Sequence, residues 1–136
     1  MKKVNYYYIT AGLFAILFSI THELNGLQRV IPALSSGALD ISAVTTINYI
    51  WHVITAENFI FGIAFIIMAF YRDRKNVRFS AWLICSILIT RLFVIVGTTL
   101  IMTGGQINDL MIDIIAIVIY TGIILVGTRA KSDKKR

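Results

Sequence analysis

The chain has 136 residues, of which 57% are hydrophobic and 15% charged, and its mean hydropathy is +0.78. Soluble domains carry about 45–50% apolar and about 25% charged residues, so this composition excludes an ordinary soluble domain and an intrinsically disordered chain. The single cysteine, Cys85, excludes an internal disulfide, and the length predicts one transmembrane domain over residues 1–136. The sequence therefore predicts an integral membrane protein.

Four stretches are long and apolar enough to cross a bilayer, which takes about 20 residues of helix. They cover residues 6–24, 46–71, 79–102 and 107–126. The one long connection follows the first span, and its apolar residues recur at helical spacing at positions 27, 30, 31 and 34. This pattern indicates either a short helix in the outer membrane interface or a plain connecting loop. We predict an all-α, integral membrane four-helix bundle with a short interfacial segment between spans one and two.

Basic residues predict the orientation of the chain. Eleven of its 13 lysines and arginines lie before span one, between spans two and three, or after span four, and Arg29 and Arg91 are the exceptions. Positive charge is concentrated on the cytoplasmic side of membrane proteins. We therefore predict a multi-pass protein of a bacterial cytoplasmic membrane with both termini inside. Its basic ends would attract anionic lipid, and the net charge of +6 does not indicate a nucleic-acid partner.

Ionisable side chains inside a bilayer are costly, and they mark either function or a buried ion pair. At about 1.5 Å of rise per residue, those of this chain lie about 18 to 28 Å from the cytoplasmic ends of their spans. That range is the outer half of a hydrocarbon core about 30 Å thick, and all four spans contribute. The predicted ligand-binding residues are His22, Glu23, His52, Glu57, Arg91 and Asp113.

The helical faces on which these residues lie are only partly consistent with one common site. Span one carries a stripe of small residues that permits close helix approach, formed by Ala11, Ala15, Ser19 and His22. On span two, His52 and Thr55 share a face, whereas Glu57 lies about 140° around the helix from His52. Trp51, like Trp82 and the tyrosines at 6–8, suits an interfacial belt.

Each of these residues also has a structural interpretation. Arg91 would neutralise Glu57 or Asp113 as a buried ion pair, since a guanidinium group keeps its charge. His22 and His52 would then lie near the lipid headgroups, where a histidine has no special role. In that case the protein would be a structural partner without a ligand.

Three functions are consistent with the predicted site. The first is binding of a lipid, a quinone or a similar amphipathic molecule in an outer-leaflet polar pocket, where Arg91 holds an anionic or carbonyl group. The second is a small membrane enzyme that uses acid–base or metal chemistry, although no metal-ligand spacing is present. The third is haem bound between His22 and His52. We favour the first, with a membrane protein or a second copy of the chain as partner, and the sequence assigns no cofactor.

Span two also resembles a known family. Residues 56–65 read Ala-Glu-Asn-Phe-Ile-Phe-Gly-Ile-Ala-Phe, and Tyr71 and Arg72 follow. A glutamate ahead of a glycine-containing apolar stretch with a basic end is similar to the second helix of the small bacterial DoxX-like membrane proteins. These proteins share the four-span layout and the long first outer loop. The resemblance implies an accessory role near quinone or redox chemistry, with Glu57 at the matching position.

Overall fold

The computed structural model describes residues 4–35, 37, 39–71, 74–104 and 108–130, and the elements over these residues are all helical. In chain order they are α1 (Tyr6–Asn25), a π-helical turn (Gly26–Val30), α2 (Ile31–Leu34), α3 (Ile41–Phe70), α4 (Arg74–Thr103), a 3-10 turn (Asn108–Leu110) and α5 (Met111–Arg129). Seven of the eleven basic residues that predict the orientation lie outside the described residues, namely Lys2, Lys3, Arg72, Lys131, Lys134, Lys135 and Arg136.

Four helical stretches of the described chain are long and apolar enough to cross a membrane, namely Tyr6–Leu34, Ile41–Phe70, Lys75–Thr103 and Met111–Arg129. Large apolar side chains are exposed along each of them, for example Leu17, Ile60, Phe93 and Ile112. Water disfavours so much apolar surface, whereas lipid tails accept it. The all-helical prediction is confirmed, and the four helices have the length and composition of those in a multi-pass membrane protein.

The helix ends differ from the predicted spans. α3 begins at Ile41, ahead of residue 46, because the Asp40 carboxylate accepts a hydrogen bond from the backbone N–H of Ala43 at 2.8 Å and caps the helix. α4 begins at Arg74, ahead of residue 79, since charged residues are good helix formers and hydropathy marks only the apolar part of a helix. α5 begins at Met111 and ends at Arg129, so it lies later than the predicted span.

The first part of the segment after span one is helical, as far as Leu34. The π-helical turn and α2 continue α1 without a break through Leu34, as the helical spacing of the apolar residues indicated. Pro32 lies in the first turn of α2, directly after the π-helical turn, where it lacks the N–H that would donate to the preceding turn. Its place in the membrane interface stays a prediction.

The chain divides into two compact units. The terminal unit comprises Met1–Ala11 and Phe65–Arg136, and the central unit is Gly12–Ala64. In the terminal unit α4 packs along α5, and the largest fully buried side chains are those of Tyr8, Phe65, Cys85 and Ile124. The ring of Phe65 lies 5.6 Å from that of Tyr8 and 6.3 Å from that of Tyr120, the spacing of favourable aromatic pairs. This unit therefore has an aromatic core.

In the central unit α1 and α3 approach closely. A methyl group on Gly62 would lie 2.6 Å from Cγ1 of Ile16 and 3.0 Å from the carbonyl oxygen of Gly12, so glycine is required at this contact. Ala15 and Ser19 are buried along the same face of α1. The predicted stripe of small residues is confirmed as the face of α1 that packs against α3. The close approach of the two helices also sets the distance that polar side chains nearer the end of α1 must span to contact α3.

Candidate polar site of the central unit

Glu23 on α1 is the centre of a hydrogen-bonded cluster with α3. The hydroxyl of Thr55 donates to Oε2 of Glu23 at 2.8 Å. Nδ1 of His52 lies 3.2 Å from Oε2 and 3.1 Å from Oε1 of the same carboxylate. Thr55 follows His52 by three residues, which places both side chains on one face of the helix. The carboxylate is thus held by two neighbouring side chains of α3.

An aromatic pair lies beside this cluster. The ring of His22 stacks on the indole of Trp51, with centroids 4.0 Å apart and an angle of 10° between the planes. Nε1 of Trp51 donates to the backbone carbonyl of His22 at 3.2 Å. Gly26 makes room for the indole, since a methyl group there would lie 2.7 Å from Cδ1 of Trp51. The indole is therefore fixed by stacking, by its hydrogen bond and by the absence of a side chain at residue 26.

Ser19 sets the register of the two helices below the cluster. Its hydroxyl, which is buried, donates to the backbone carbonyl of Thr55 at 2.8 Å. From this level the site becomes more open, because the side chain of Glu23 is 29% exposed and that of His52 is 48% exposed. The polar cluster thus lies above a buried hydroxyl, that of Ser19, and has an accessible histidine, His52.

The position of the carboxylate decides what His52 can do. A carboxylate beside Nδ1 favours the form of imidazole in which Nδ1 carries the proton and donates to it. The other ring nitrogen, Nε2, is then left to accept a hydrogen bond or a proton from a hydroxyl group. In its protonated form the same nitrogen would donate to a carbonyl oxygen or an anion. The pair of Glu23 and His52 can therefore orient a polar head group or act as an acid–base group.

The six predicted ligand-binding residues do not all lie in this cluster. The three that the structure brings together are His22, Glu23 and His52. Glu57 is half-buried on α3 and, at 100° per residue, points away from the face of His52 and Thr55. In the terminal unit, Arg91 is half-buried on α4 and Asp113 is exposed in the first turn of α5. The assignment of all six to one ligand stays a prediction.

Sequence reasoning missed part of the site. Trp51 was predicted as an interfacial belt residue, and its stacking on His22 was not expected. The sequence signal for this stacking was Gly26. It lies four residues after His22 on the same helical face, and because glycine has no side chain it leaves space there for the indole. The hydrogen bond of Thr55 to Glu23 had no sequence signal beyond the face that Thr55 shares with His52, since it depends on how α1 is rotated against α3.

Neither the possible metal ligands nor the comparisons with known proteins narrow the function of this cluster. Among the described residues, no group of three or more His, Cys, Asp or Glu side chains is placed to hold a metal ion. No protein-family model, no curated protein and no solved structure matches the chain. The resemblance of span two to the DoxX-like proteins stays a prediction that residues 56–65 carry.

Proposed function

We propose that this protein binds the polar head of an amphipathic molecule, a lipid, a quinone or a similar compound, at the Glu23 cluster. The observation that carries the proposal is the carboxylate of Glu23 shared between Thr55 and an exposed His52. The shared chemistry of these ligands is a hydroxyl or carbonyl oxygen at the level of the membrane interface. Nε2 of His52 would bond that oxygen, and the flat face of Trp51 would border the ring or chain next to it.

The cost of placing these groups in a membrane favours a ligand over a purely structural role. A carboxylate and two imidazoles near the end of a spanning helix are expensive, and apolar residues of similar size would hold two helices together as well. Ser19 already supplies a buried polar contact between α1 and α3. Exposure of the His52 side chain adds nothing to helix packing, but a ligand requires it.

The orientation of the chain belongs to the same proposal. We infer a four-helix bundle in a bacterial cytoplasmic membrane with both termini inside, supported by Lys75, Arg78 and Arg129 at one end of α4 and α5. His52 lies in the first half of α3, so it is distant from the α3 terminus that leads toward these basic residues. The cluster would then face the outer leaflet. An accessory role beside a second membrane protein is part of the proposal.

Mass spectrometry of what co-purifies with the full chain from native membranes tests the proposal. We expect one amphipathic compound in near-stoichiometric amount with the wild type and about tenfold less with His52→Ala or Glu23→Gln, as loss of one good hydrogen bond predicts. Thr21→Ala is the matched control, because the Thr21 hydroxyl bonds to its own helix at Leu17 and Phe18. The control should retain the ligand in full.

Two results would overturn the proposal. Equal amounts of every co-purifying compound in the wild type, both cluster variants and the control would make the cluster a scaffold. A Soret band in the purified protein that disappears with His22→Ala and His52→Ala would replace the amphipathic ligand with haem. A membrane protein that elutes with the wild type in mild detergent would support the accessory role.

A further inference from the structure

The terminal unit carries a second, chemically different site. A surface depression of about 390 Å³ lies where α4 begins and α5 ends, lined by Arg78, Trp82, Thr128 and Arg129. Arg78 and Trp82 are one turn apart on α4, and Thr128 and Arg129 are the last residues of α5. Both arginines are exposed at its rim, while Thr128 is buried beneath them. The volume is within the range of about 300–1,000 Å³ that is usual for small-molecule sites.

The lining of this depression suits an anion. Among the described residues that line it, Arg78 and Arg129 are permanent cations and none is acidic. Guanidinium groups offer a planar fork of N–H donors that matches the oxygens of a phosphate group. Two cations around one depression repel each other, and a bound anion would turn that repulsion into attraction.

The surface beside the depression suits an acyl chain. Trp82 is 52% exposed, and its indole has the amphipathic character of residues at the border between headgroups and lipid tails. Next to it on α4, Phe79 is 73% exposed and Leu83 is 54% exposed. A molecule held by both arginines would therefore have its charged group at the helix ends and its apolar part along α4.

We propose that Arg78 and Arg129 bind the phosphate group of an anionic phospholipid at the basic end of α4 and α5, with Trp82 beside its acyl chain. Setting the membrane topology requires only the positive charge of a basic residue. The proposed site requires in addition two guanidinium groups, each with a fork of N–H donors, around one depression. The proposal is independent of the Glu23 cluster, since it uses other residues, another unit of the chain and a ligand group that carries a negative charge.

Native mass spectrometry of the full-length protein with added lipid tests the site. We expect dioleoyl-phosphatidylglycerol to bind about tenfold more than dioleoyl-phosphatidylcholine, which corresponds to about 1.4 kcal/mol. The double variant Arg78→Gln, Arg129→Gln should lose that preference. Lys75→Gln is the matched control, because it removes one charge from the first turn of α4 but does not line the depression. It should retain the preference within about twofold, as expected for an exposed charge that does not line the depression and is screened by solvent.

Conservative variants separate a built site from general charge. Arg78→Lys with Arg129→Lys keeps the charge that sets topology and removes the forks, so we expect binding of phosphatidylglycerol to fall most of the way to that of the glutamine pair. This variant also decides the matter if the glutamine pair does not insert correctly. Binding of the lysine pair at the wild-type level, or equal loss with Lys75→Gln, would overturn the proposal. Displacement of the bound phosphatidylglycerol by added inorganic phosphate would assign the site to a soluble phosphate group instead.

Discussion

Asn5 and Glu23 show two ways in which this protein places polar groups near α1. Asn5 is 4% exposed; its backbone N–H donates to the carbonyl of Ala69 at 3.0 Å, and its Nδ2 donates to that of Gly127 at 2.9 Å. Glu23 is bonded as well, but its side chain is 29% exposed and shares its carboxylate with a histidine that is still more open. A fully buried polar side chain such as that of Asn5 joins helix ends, whereas a partly exposed one such as that of Glu23 remains available to a ligand.

The same contrast holds for the surroundings of the two groups. Asn5 lies among the aromatic side chains of the terminal unit, where Tyr8, Phe65 and Tyr120 are buried. Glu23 lies in the central unit above a small-residue contact, where helix approach depends on glycine, alanine and serine. Aromatic packing gives the terminal unit a large buried area, and close backbone contact gives the central unit a precise register. Substitutions should therefore affect stability most in the first and ligand binding most in the second.

The largest effect is expected in the terminal unit, from Gly127→Ala. A methyl group at residue 127 would lie 2.7 Å from Cε1 of Tyr8 and 2.8 Å from its Cδ1. Since that ring is fully buried, it cannot move away, and we expect a loss of about 3 kcal/mol, the upper part of the range for overpacking. Thermal or detergent-induced unfolding of the purified protein measures it.

Gly122→Ala provides the control on the same helix. A methyl group there would meet no atom of the described chain within 4 Å. It should therefore keep or raise the stability by up to about 1 kcal/mol, since alanine has the higher helix propensity. A similar loss with both substitutions would mean that α5 tolerates no side chain at its glycines, and the aromatic contact would not be the cause.

A smaller effect is expected in the central unit, from Gly26→Ala. The added methyl group would displace the indole of Trp51 from its stack on His22, at a cost of about 2 kcal/mol. Fluorescence in a Trp82→Phe background reports on Trp51 alone, and we expect a shift of its emission together with weaker ligand retention. Gly97→Ala, which has no atom of the described chain within 4 Å of the new methyl group, should leave both unchanged. Unchanged emission in Gly26→Ala would show that the stack does not hold Trp51.

Sequence patterns predicted the helical layout better than the site. Hydropathy located four helices, and the depth estimate placed His22 and His52 at comparable depth because rise per residue is nearly constant. The contacts among these side chains depend on helix rotation, which the small-residue stripe on α1 indicated for Ala15 and Ser19 only. The role of Asn5 had no signal, since it depends on helix ends that are distant in the sequence.

Thr55→Val tests whether the partly exposed Glu23 cluster contributes more to ligand binding than to stability. The substitution removes the hydroxyl that donates to Glu23 while keeping the shape of the side chain. We expect a loss of about 1 kcal/mol in stability, as for one ordinary hydrogen bond. Ligand retention should fall about tenfold, because the carboxylate that orients His52 is no longer held in place.

Thr45→Val is the control for this substitution. Its hydroxyl is exposed and bonds the carbonyl of Ile41 within α3, so both stability and ligand retention should stay near the wild-type values. Ser19→Ala completes the comparison. The Ser19 hydroxyl donates to the backbone carbonyl of Thr55, so it is linked to the Glu23 carboxylate only through that residue. If Ser19→Ala lowers ligand retention as much as Thr55→Val, helix register rather than the carboxylate governs binding.

The smallest effect is expected at the start of α3, where a polar group serves neither a buried contact nor the site. Asp40 is exposed and accepts a hydrogen bond from the N–H of Ala43. Asp40→Ala should cost about 0.5 kcal/mol, the low end for a helix cap, because water replaces the lost acceptor. Hydrogen exchange should become faster at Ala43 and Val44, while ligand retention stays unchanged. Asp40→Asn keeps a capping oxygen and should restore slow exchange, so equal exchange in the two variants would place the cause in the charge at the helix start rather than in the cap.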